Sequence, residues 1–109
     1  MKFQIFRQLL LKIYRNFEKF VLDFNKIQIL DENFLQNSFK VEKIFLNINK
    51  IKIMSSKIVE NKTNLMYLGL TGSPCIDAFY GFRATLDVLT EIERNEAKND
   101  ILFGCNENL

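Results

Sequence analysis

Histidine is absent from this 109-residue chain, and cysteine occurs only twice. A zinc site made of four thiolate or imidazole ligands therefore cannot be built within the chain. Catalysis by a serine–histidine or cysteine–histidine pair is excluded for the same reason. From the residue types present we assign no catalytic residue, no metal ligand and no cofactor. Two cysteines cannot form a dense disulfide framework, so we expect an intracellular, reducing compartment, with an organelle as one option.

Glycine, proline, alanine and cysteine are all absent from residues 1–68 and are confined to the remainder of the chain. Average usage would place about eight glycines and prolines in that first part. The first part is instead rich in Lys, Asn, Ile and Phe, which is the bias of AT-rich coding DNA. The apolar runs are also too short to span a bilayer. We predict one small domain over 1–109, with segments 1–63 and 64–109 of different character.

The net charge of +2 is unevenly distributed along the chain. Residues 1–68 contain 12 Lys or Arg against 6 Asp or Glu, whereas residues 69–109 contain 3 against 7. This division favours either attraction between the two parts or an anionic partner for the first. A pI near 8.6 is low for a dedicated nucleic-acid binder, so nucleic-acid contact is the weaker hypothesis. Such contact would use the bases Lys2, Arg7, Lys12 and Arg15.

Apolar residues recur at alternating spacings of three and four near the start of the chain. They are Phe3, Phe6, Leu10, Ile13, Phe17, Phe20, Phe24 and Ile27. This spacing predicts a long amphipathic helix over 2–27 whose broad apolar stripe packs in a core. The part before Glu18 contains bases and no acids, which is also typical of a helix on a membrane surface or of a targeting segment. Docking against a partner protein is a further alternative.

The middle of the chain gives two conflicting patterns. Apolar residues between 41 and 51 recur at helical spacing, yet 46–48 and 51–53 alternate like strands with a turn between them. Helix and hairpin both stay open for 38–60, because Ile and Val favour strands while the turn lacks glycine. We favour a short helix over 31–37, with Asp31 as its cap, followed by extended chain.

The last part of the chain predicts a strand–helix–strand unit. Leu65–Leu68 is a short apolar run typical of a buried strand. Ser73 and Pro74 then form a good helix start, and the helix is expected to continue to about residue 97. Residues 101–103 predict a second strand, parallel to the first. The predicted fold is therefore of the α+β or α/β class, with a long N-terminal helix, an ambiguous middle and a C-terminal βαβ unit with a small sheet.

Ligands bind beyond the carboxyl ends of parallel strands, so the loop at Gly69–Cys75 is the candidate site. The candidate binding residues are Gly69, Thr71, Gly72, Ser73 and Cys75. Backbone N–H groups at the start of the predicted helix would favour a phosphate or carboxylate. The same geometry brings Cys75 close to Cys105, although a disulfide is not expected in a reducing compartment. A purely structural turn, with Cys75 as a small buried apolar residue, is the alternative.

One local resemblance involves the same loop. Residues 69–73 (Gly-Leu-Thr-Gly-Ser), followed by residues 80–83 (Tyr-Gly-Phe-Arg), resemble the first strand, loop and helix of flavin-binding prenyltransferases and decarboxylases. The resemblance covers about twenty residues and implies that the loop contacts a flavin phosphate. It departs from the family at Pro74 and Cys75, where the family's loop keeps another glycine.

Two hypotheses on function follow from these patterns. The first is a small non-catalytic interaction or accessory protein that acts as part of a larger assembly, because two strands alone do not make a stable parallel sheet. Its helix over 2–27 would dock against a partner subunit or a membrane surface. The alternative is a protein that binds a phosphate-bearing ligand, a nucleotide or a flavin, at Gly69–Cys75. In that case Cys75, Asp77 and Tyr80 are the candidate reacting groups.

Overall fold

The computed structural model describes residues 18–82 and 87–105. Over these residues the chain forms six short strands, one 3₁₀ helix and one α-helix. In chain order they are β1 (Lys19–Val21), β2 (Ile29–Leu30), β3 (Lys43–Phe45), β4 (Ile53–Met54), the 3₁₀ helix (Ser56–Val59), β5 (Tyr67–Gly69), β6 (Phe79–Gly81) and α1 (Glu91–Gly104). No helix in this described part is long and apolar enough to cross a membrane.

The strands form two sheets. The larger sheet has four strands in the order β1-β3-β5-β6, and the smaller sheet pairs β2 with β4. Strands β1, β3 and β5 are parallel, and β2 is parallel to β4. Strand β6 is antiparallel to β5 and lies at one edge of the larger sheet. The sheet is therefore mixed, with its parallel part built from strands that are far apart in sequence.

The register of the parallel strands shows a structural repeat of 24 residues. Lys19 lies opposite Lys43, and Lys43 lies opposite Tyr67. The smaller sheet has the same offset, because Ile29 lies opposite Ile53. Each 24-residue segment therefore makes one coil that returns to the same place in the larger sheet. Stacked coils of this kind form a solenoid, in which each repeat contacts its neighbours.

The core is formed by apolar side chains at the same positions of successive coils. Val41, Ile44, Leu46 and Ile51 of the second coil and Leu65, Leu68 and Leu70 of the third are all 0% exposed. Each such side chain contributes about 1.5–3 kcal/mol by burial. The spacing of the buried residues, with Asn49 two positions before Ile51, is similar to that of leucine-rich solenoid repeats.

The buried Asn49 side chain joins the first coil to the second. Its Nδ2 donates to the carbonyl oxygens of Leu22 at 2.9 Å and Leu46 at 3.1 Å. Its Oδ1 accepts from the backbone N–H of Ile27 at 3.2 Å. In the third coil Ser73 stands at the equivalent position, and its Oγ accepts from the N–H of Ile51 at 3.3 Å. These side chains satisfy buried backbone groups that the tight turns leave without a ladder partner.

The turns that follow β2 and β4 also repeat. Residues 32–37 form consecutive turns, so the predicted short helix over 31–37 is wrong. The Asp31 carboxylate nevertheless accepts from the N–H of Asn33 at 2.9 Å. At the equivalent place in the next coil, the Ser55 hydroxyl accepts from the N–H of Lys57 at 3.2 Å and begins the 3₁₀ helix. Within 38–60 the strands β3 and β4 pair with the preceding coil, so the hairpin alternative is also wrong.

The predicted N-terminal helix over 2–27 is wrong from residue 18 onward. Strand β1 begins at Lys19, and Phe24 has a φ of +60°, which a right-handed helix does not contain. Phe20 and Ile27 are buried as expected, but Phe24 is 77% exposed. Residues 1–17 lie outside the described residues. The basic residues proposed for nucleic-acid, membrane-surface or targeting roles lie there.

The predicted C-terminal βαβ unit is wrong as well, and with it the predicted fold class. The strand near Leu65–Leu68 is present as β5, but β6 follows it where the helix from Pro74 was expected. Gly81 has a φ of +81°, and a Cβ there would collide with the carbonyl oxygen of Met66, so only glycine fits this approach to β5. The predicted second strand over 101–103 lies within α1.

The helix α1 begins later than predicted because its capping signal lies at Thr90. The Thr90 hydroxyl accepts from the N–H of Glu93 at 3.1 Å, and the Glu93 carboxylate accepts from the N–H of Thr90 at 2.9 Å. This reciprocal pair is a capping box. Ala97 and Ile101 form the buried side of the helix, and both are 0% exposed. The helix packs mainly against the 3₁₀ helix and also contacts β6.

Candidate interaction surface

After each of the three parallel strands of the larger sheet, β1, β3 and β5, the chain passes through a residue in the left-handed backbone region. The φ angles are +60° at Phe24, +56° at Ile48 and +78° at Gly72. These residues are 24 positions apart, and we call them the strand-end rim. Glycine adopts this conformation without cost, whereas a bulky or β-branched residue there is strained by about 1–3 kcal/mol. Two of the three positions therefore carry backbone strain.

The two strained residues of the strand-end rim are also exposed and apolar. Phe24 is 77% exposed and Ile48 is 47% exposed. A Cβ built on Gly72 would lie 2.8 Å from Cδ1 of Ile48, which shows that Ile48 lies against the Gly72 backbone. The rim is thus an apolar edge running across the coils at the ends of their strands. The rim destabilises the isolated chain for two reasons. The backbone is strained at Phe24 and Ile48, and their apolar side chains are exposed to water.

A polar ladder immediately before the rim fixes its position. The Asp23 carboxylate accepts from the N–H of Asn47 at 2.7 Å. The Asn47 side-chain oxygen in turn accepts from the N–H of Thr71 at 2.9 Å and from the Thr71 hydroxyl at 2.8 Å. These three residues again lie 24 positions apart. Because each rung joins neighbouring coils, the rim residues that follow are held on a rigid support.

An aromatic row crosses the sheet next to the ladder. The ring centroids of Phe45 and Tyr67 are 5.2 Å apart, and those of Tyr67 and Phe79 are 6.5 Å apart. The Lys19 ammonium lies 5.7 Å from the Phe45 ring centroid. Phe45 and Tyr67 are buried, whereas Phe79 at the sheet edge is 54% exposed. The rings pack against one another in tilted orientations, which is a favourable arrangement for aromatic pairs. This packing stabilises the sheet from which the strand-end rim extends.

The five predicted ligand-binding residues lie in β5 and in the turn after it. Gly69 packs closely on its neighbours, since a Cβ there would lie 2.6 Å from Nδ2 of Asn47 and 2.8 Å from the Tyr67 ring. The N–H of Thr71 donates to Asn47, as described above. Glycine at 69 therefore has a packing reason that is independent of any ligand.

The other amide groups of the predicted loop also donate within the protein. The N–H of Gly72 donates to Asp77 at 2.9 Å, and the N–H of Ser73 donates to the Ile76 carbonyl at 3.3 Å. The N–H of Cys75 donates to the Ile51 carbonyl at 3.1 Å. A phosphate cradle requires such donors to point at the ligand. The binding role of these residues stays a prediction, and their amides are occupied in this structure.

The expected meeting of Cys75 and Cys105 is confirmed. Their Cα atoms are 4.9 Å apart, and the two residues form a disulfide. They meet because α1 returns to the turn after β5, and not because two parallel strands end together. The disulfide was disfavoured in the expected reducing compartment, and that compartment stays a prediction.

The remaining candidate reacting groups also have structural partners. The Asp77 carboxylate accepts from Gly72, as described above. Tyr80 is buried as a residue, and its hydroxyl donates to Oδ2 of Asp100 at 2.6 Å. Burial raises the pKa of the Tyr80 phenol, and the Asp100 carboxylate raises this pKa further. No group of His, Cys, Asp and Glu side chains suited to a metal ion occurs in the part of the chain that the structure describes.

Replacing Tyr80 by Phe should lower the free energy of unfolding by about 1 kcal/mol at neutral pH, because the hydrogen bond from the buried Tyr80 to the exposed Asp100 carboxylate is lost. The raised pKa also predicts a pH effect. The Tyr80 contribution is fully present below the ordinary tyrosine pKa of about 10, and it is lost as the pH rises above that value. Urea unfolding of both proteins at pH 7 and pH 10.5 measures this. Equal alkaline losses in the two proteins would show that Tyr80 is not the group responsible.

No protein-family model, no curated protein and no solved structure matches this chain. The residues that resemble flavin-binding prenyltransferases and decarboxylases lie in a strand–turn–strand arrangement, since β5 leads into β6. The strand–loop–helix geometry that this resemblance implies is therefore not present between Tyr67 and Gly81.

The strand-end rim was not found from the sequence. The sequence pattern predicts Phe24 in a buried helical stripe and leaves Ile48 in either a helix or a strand. The signal that identifies them is their alignment with Gly72 at intervals of 24 residues. Gly72 has a positive φ, and Phe24 and Ile48, at the equivalent positions of the two preceding coils, have the same backbone conformation.

Proposed function

We propose that this chain is a non-catalytic interaction protein that acts as part of a larger assembly, with the strand-end rim as its contact surface. The observation that carries the proposal is the coincidence of strain and exposure at Phe24 and Ile48. Strained backbone residues persist where surrounding structure holds them and where they serve a function. A partner that covers these side chains recovers apolar burial that the isolated chain lacks.

The surroundings of the rim support the same proposal. Val21 on β1 is 36% exposed, and Phe79 on β6 is 54% exposed. Together with the rim they extend the apolar area from the strand ends onto the sheet. The ladder from Asp23 to Thr71 supplies a rigid frame, so little ordering entropy is lost when a partner binds. The surface differs from the helix over 2–27 that the sequence suggested.

Replacing Phe24 by Asn should raise the free energy of unfolding by about 1 kcal/mol. Asn tolerates the left-handed region far better than Phe, and Phe24 is 77% exposed, so little burial is lost. Phe82 is a matched control because it is 73% exposed but does not have a positive φ. Urea unfolding followed by circular dichroism measures both variants. A destabilised Phe24→Asn protein would show that the residue is not strained.

The role in binding is tested by the double variant Phe24→Asn/Ile48→Asn in the full chain. We expect partners captured from source-cell extract by the unmodified chain to be lost with this variant and retained with Phe82→Asn. Light scattering over a concentration series shows whether the partner is a second copy of the chain. Capture that is equal for all three proteins, together with no rim-dependent self-association, would refute the rim as the contact surface.

A further inference from the structure

A separate cleft lies between the turns that follow β2 and the segment that follows β4. Its volume is about 260 Å³, and its lining includes Glu32, Phe39, Lys57, Glu60 and Lys62. This volume is close to the lower end of small-ligand pockets, about 300 Å³. None of the strand-end rim residues contributes to the lining. The cleft is therefore a second candidate site, built from a different part of each coil.

Lys62 is the unusual residue of this cleft. Only 3% of its surface is exposed, and its ammonium lies 5.7 Å from the Phe39 ring centroid. Within residues 18–82 and 87–105, the Lys62 side chain has no hydrogen bond and no ion pair. Burial lowers the pKa of Lys62. Most of the Lys62 side chain is buried, but its ammonium is not among the fully buried unpartnered atoms and reaches the solvent of the cleft, where an anion can supply the missing counter-charge.

The carboxylates around the cleft already have cationic partners. Glu32 pairs with Lys57 at 3.1 Å, and Glu60 pairs with Lys98 at 2.8 Å. The hydrogen bond and the charge of Lys98 hold the pKa of Glu60 below its usual value, and the charge of Lys57 lowers this pKa further. Neither acid forms an ion pair with Lys62, which leaves this ammonium without a counter-charge among the described residues of the cleft.

We propose that this cleft binds a small organic oxyanion, with its charged group on Lys62 and its apolar part against the Phe39 ring. A carboxylate or a phosphate supplies the oxygen acceptors that an ammonium group takes. A planar apolar body fits beside the aromatic ring, where edge-to-face or stacked packing is favourable. The ligand class is thus a small carboxylate or phosphate ester that carries a flat apolar group.

Benzoate and inorganic phosphate serve as probes, titrated into the full chain at constant ionic strength. We expect benzoate to produce saturable amide chemical-shift changes at Asn61 and Lys62, and phosphate to bind more weakly because it lacks the apolar part. Lys62→Met should weaken benzoate binding at least about tenfold, since a charged hydrogen bond is lost. Lys52→Met is the control because Lys52 is exposed, lies outside the cleft lining and carries the same charge.

A second measurement on the unmodified chain does not depend on the variant folding. Saturating benzoate should protect the Lys62 amine from acetylation by acetic anhydride, read by peptide mass spectrometry, and should leave Lys52 unprotected. Shift changes that never saturate, or that persist unchanged in Lys62→Met, would overturn the proposal. Equal acetylation of Lys62 with and without benzoate would overturn it as well.

Discussion

The double variant Cys75→Ala/Cys105→Ala is expected to unfold with about 3.5 kcal/mol less free energy than the unmodified chain. The disulfide joins residues 30 positions apart. Chain-entropy estimates give about 3 kcal/mol for a 15-residue loop and about 4.7 kcal/mol for a 100-residue loop, so this bridge lies between them. Urea unfolding followed by circular dichroism measures the loss. Reduction of the unmodified chain should reproduce most of it.

The reason for this large effect is the position of the bridge. It ties the end of α1 to the turn after β5, and Cys105 itself is 0% exposed. The N–H of Cys75 also donates to the Ile51 carbonyl, so the tether reaches the neighbouring coil. Without the bridge, α1 is held by its apolar side, including Ala97 and Ile101. The helix then opens more readily than the coils beneath it.

Hydrogen exchange distinguishes this local effect from a general loss of structure. After reduction, the amides of α1 should exchange much faster. The exchange rates of the β3 amides should rise only as far as the loss of global stability requires. Equal stability of the reduced and oxidised chains would show that the bridge does not hold α1 to the turn after β5. Val88→Ala, a change at a residue that is 48% exposed near the start of the helix, controls for simple side-chain loss.

Asn49→Ala is expected to have the second largest effect, a loss of about 3 kcal/mol in the free energy of unfolding. Asn49 is 2% exposed, and its side chain bonds to backbone groups of Leu22, Leu46 and Ile27. Alanine leaves these buried groups without their partners, and each unsatisfied group costs about 1–3 kcal/mol. Water that enters the gap offsets part of this cost. Chemical unfolding of both proteins measures the difference.

Asn25 provides the matched control for Asn49, because it occupies the equivalent position one coil earlier. It is exposed and bonds to the carbonyl oxygens of Leu22 at 2.9 Å and Asp23 at 3.1 Å. Asn25→Ala should therefore cost less than about 1 kcal/mol, since water replaces the lost bonds. Equal effects at the two positions would contradict the role of Asn49 as a buried link between coils.

The sequence predicted individual elements better than it predicted their assembly. The strand at β5 was expected and is present, whereas Asp31, expected to cap a short helix, instead accepts from the N–H of Asn33 in a turn. The long N-terminal helix was wrong because apolar residues of a 24-residue coil also fall at spacings of three and four. Phe20 and Ile27 fit both patterns, and periodicity within a single coil cannot separate them.

The repeat itself could have been found by comparing the sequence with itself. Residues 18–30 read EKFVLDFNKIQIL, and residues 42–54 read EKIFLNINKIKIM, which align without a gap at an offset of 24. The third coil hides the pattern, because Pro74 and Cys75 interrupt it and β6 replaces the second short strand. Two clear copies give a weak signal, and at least about three repeats are typical of a solenoid.

The candidate surface was missed for a related reason. The glycines of the sequence point to Gly69–Cys75 as the candidate site. In the structure Gly69 allows close packing and Gly72 allows a turn with a positive φ. Phe24 and Ile48 have the same backbone conformation as Gly72, but their side chains give no local sign of it. A positive φ at a bulky residue follows from its place in the repeat and not from its residue type, so the rim is recognised only once Phe24 and Ile48 are aligned with Gly72.

Interstrand nuclear Overhauser effects test the 24-residue coil most directly. The structure predicts contacts between the backbone protons of Phe20 and Ile44, of Ile44 and Leu68, and of Ile29 and Ile53. Each pair is 24 positions apart, so no local secondary structure produces these contacts. Helical contacts between residues four apart through 19–27, or pairing of 46–48 with 51–53, would contradict the stacked coils and the rim that depends on them.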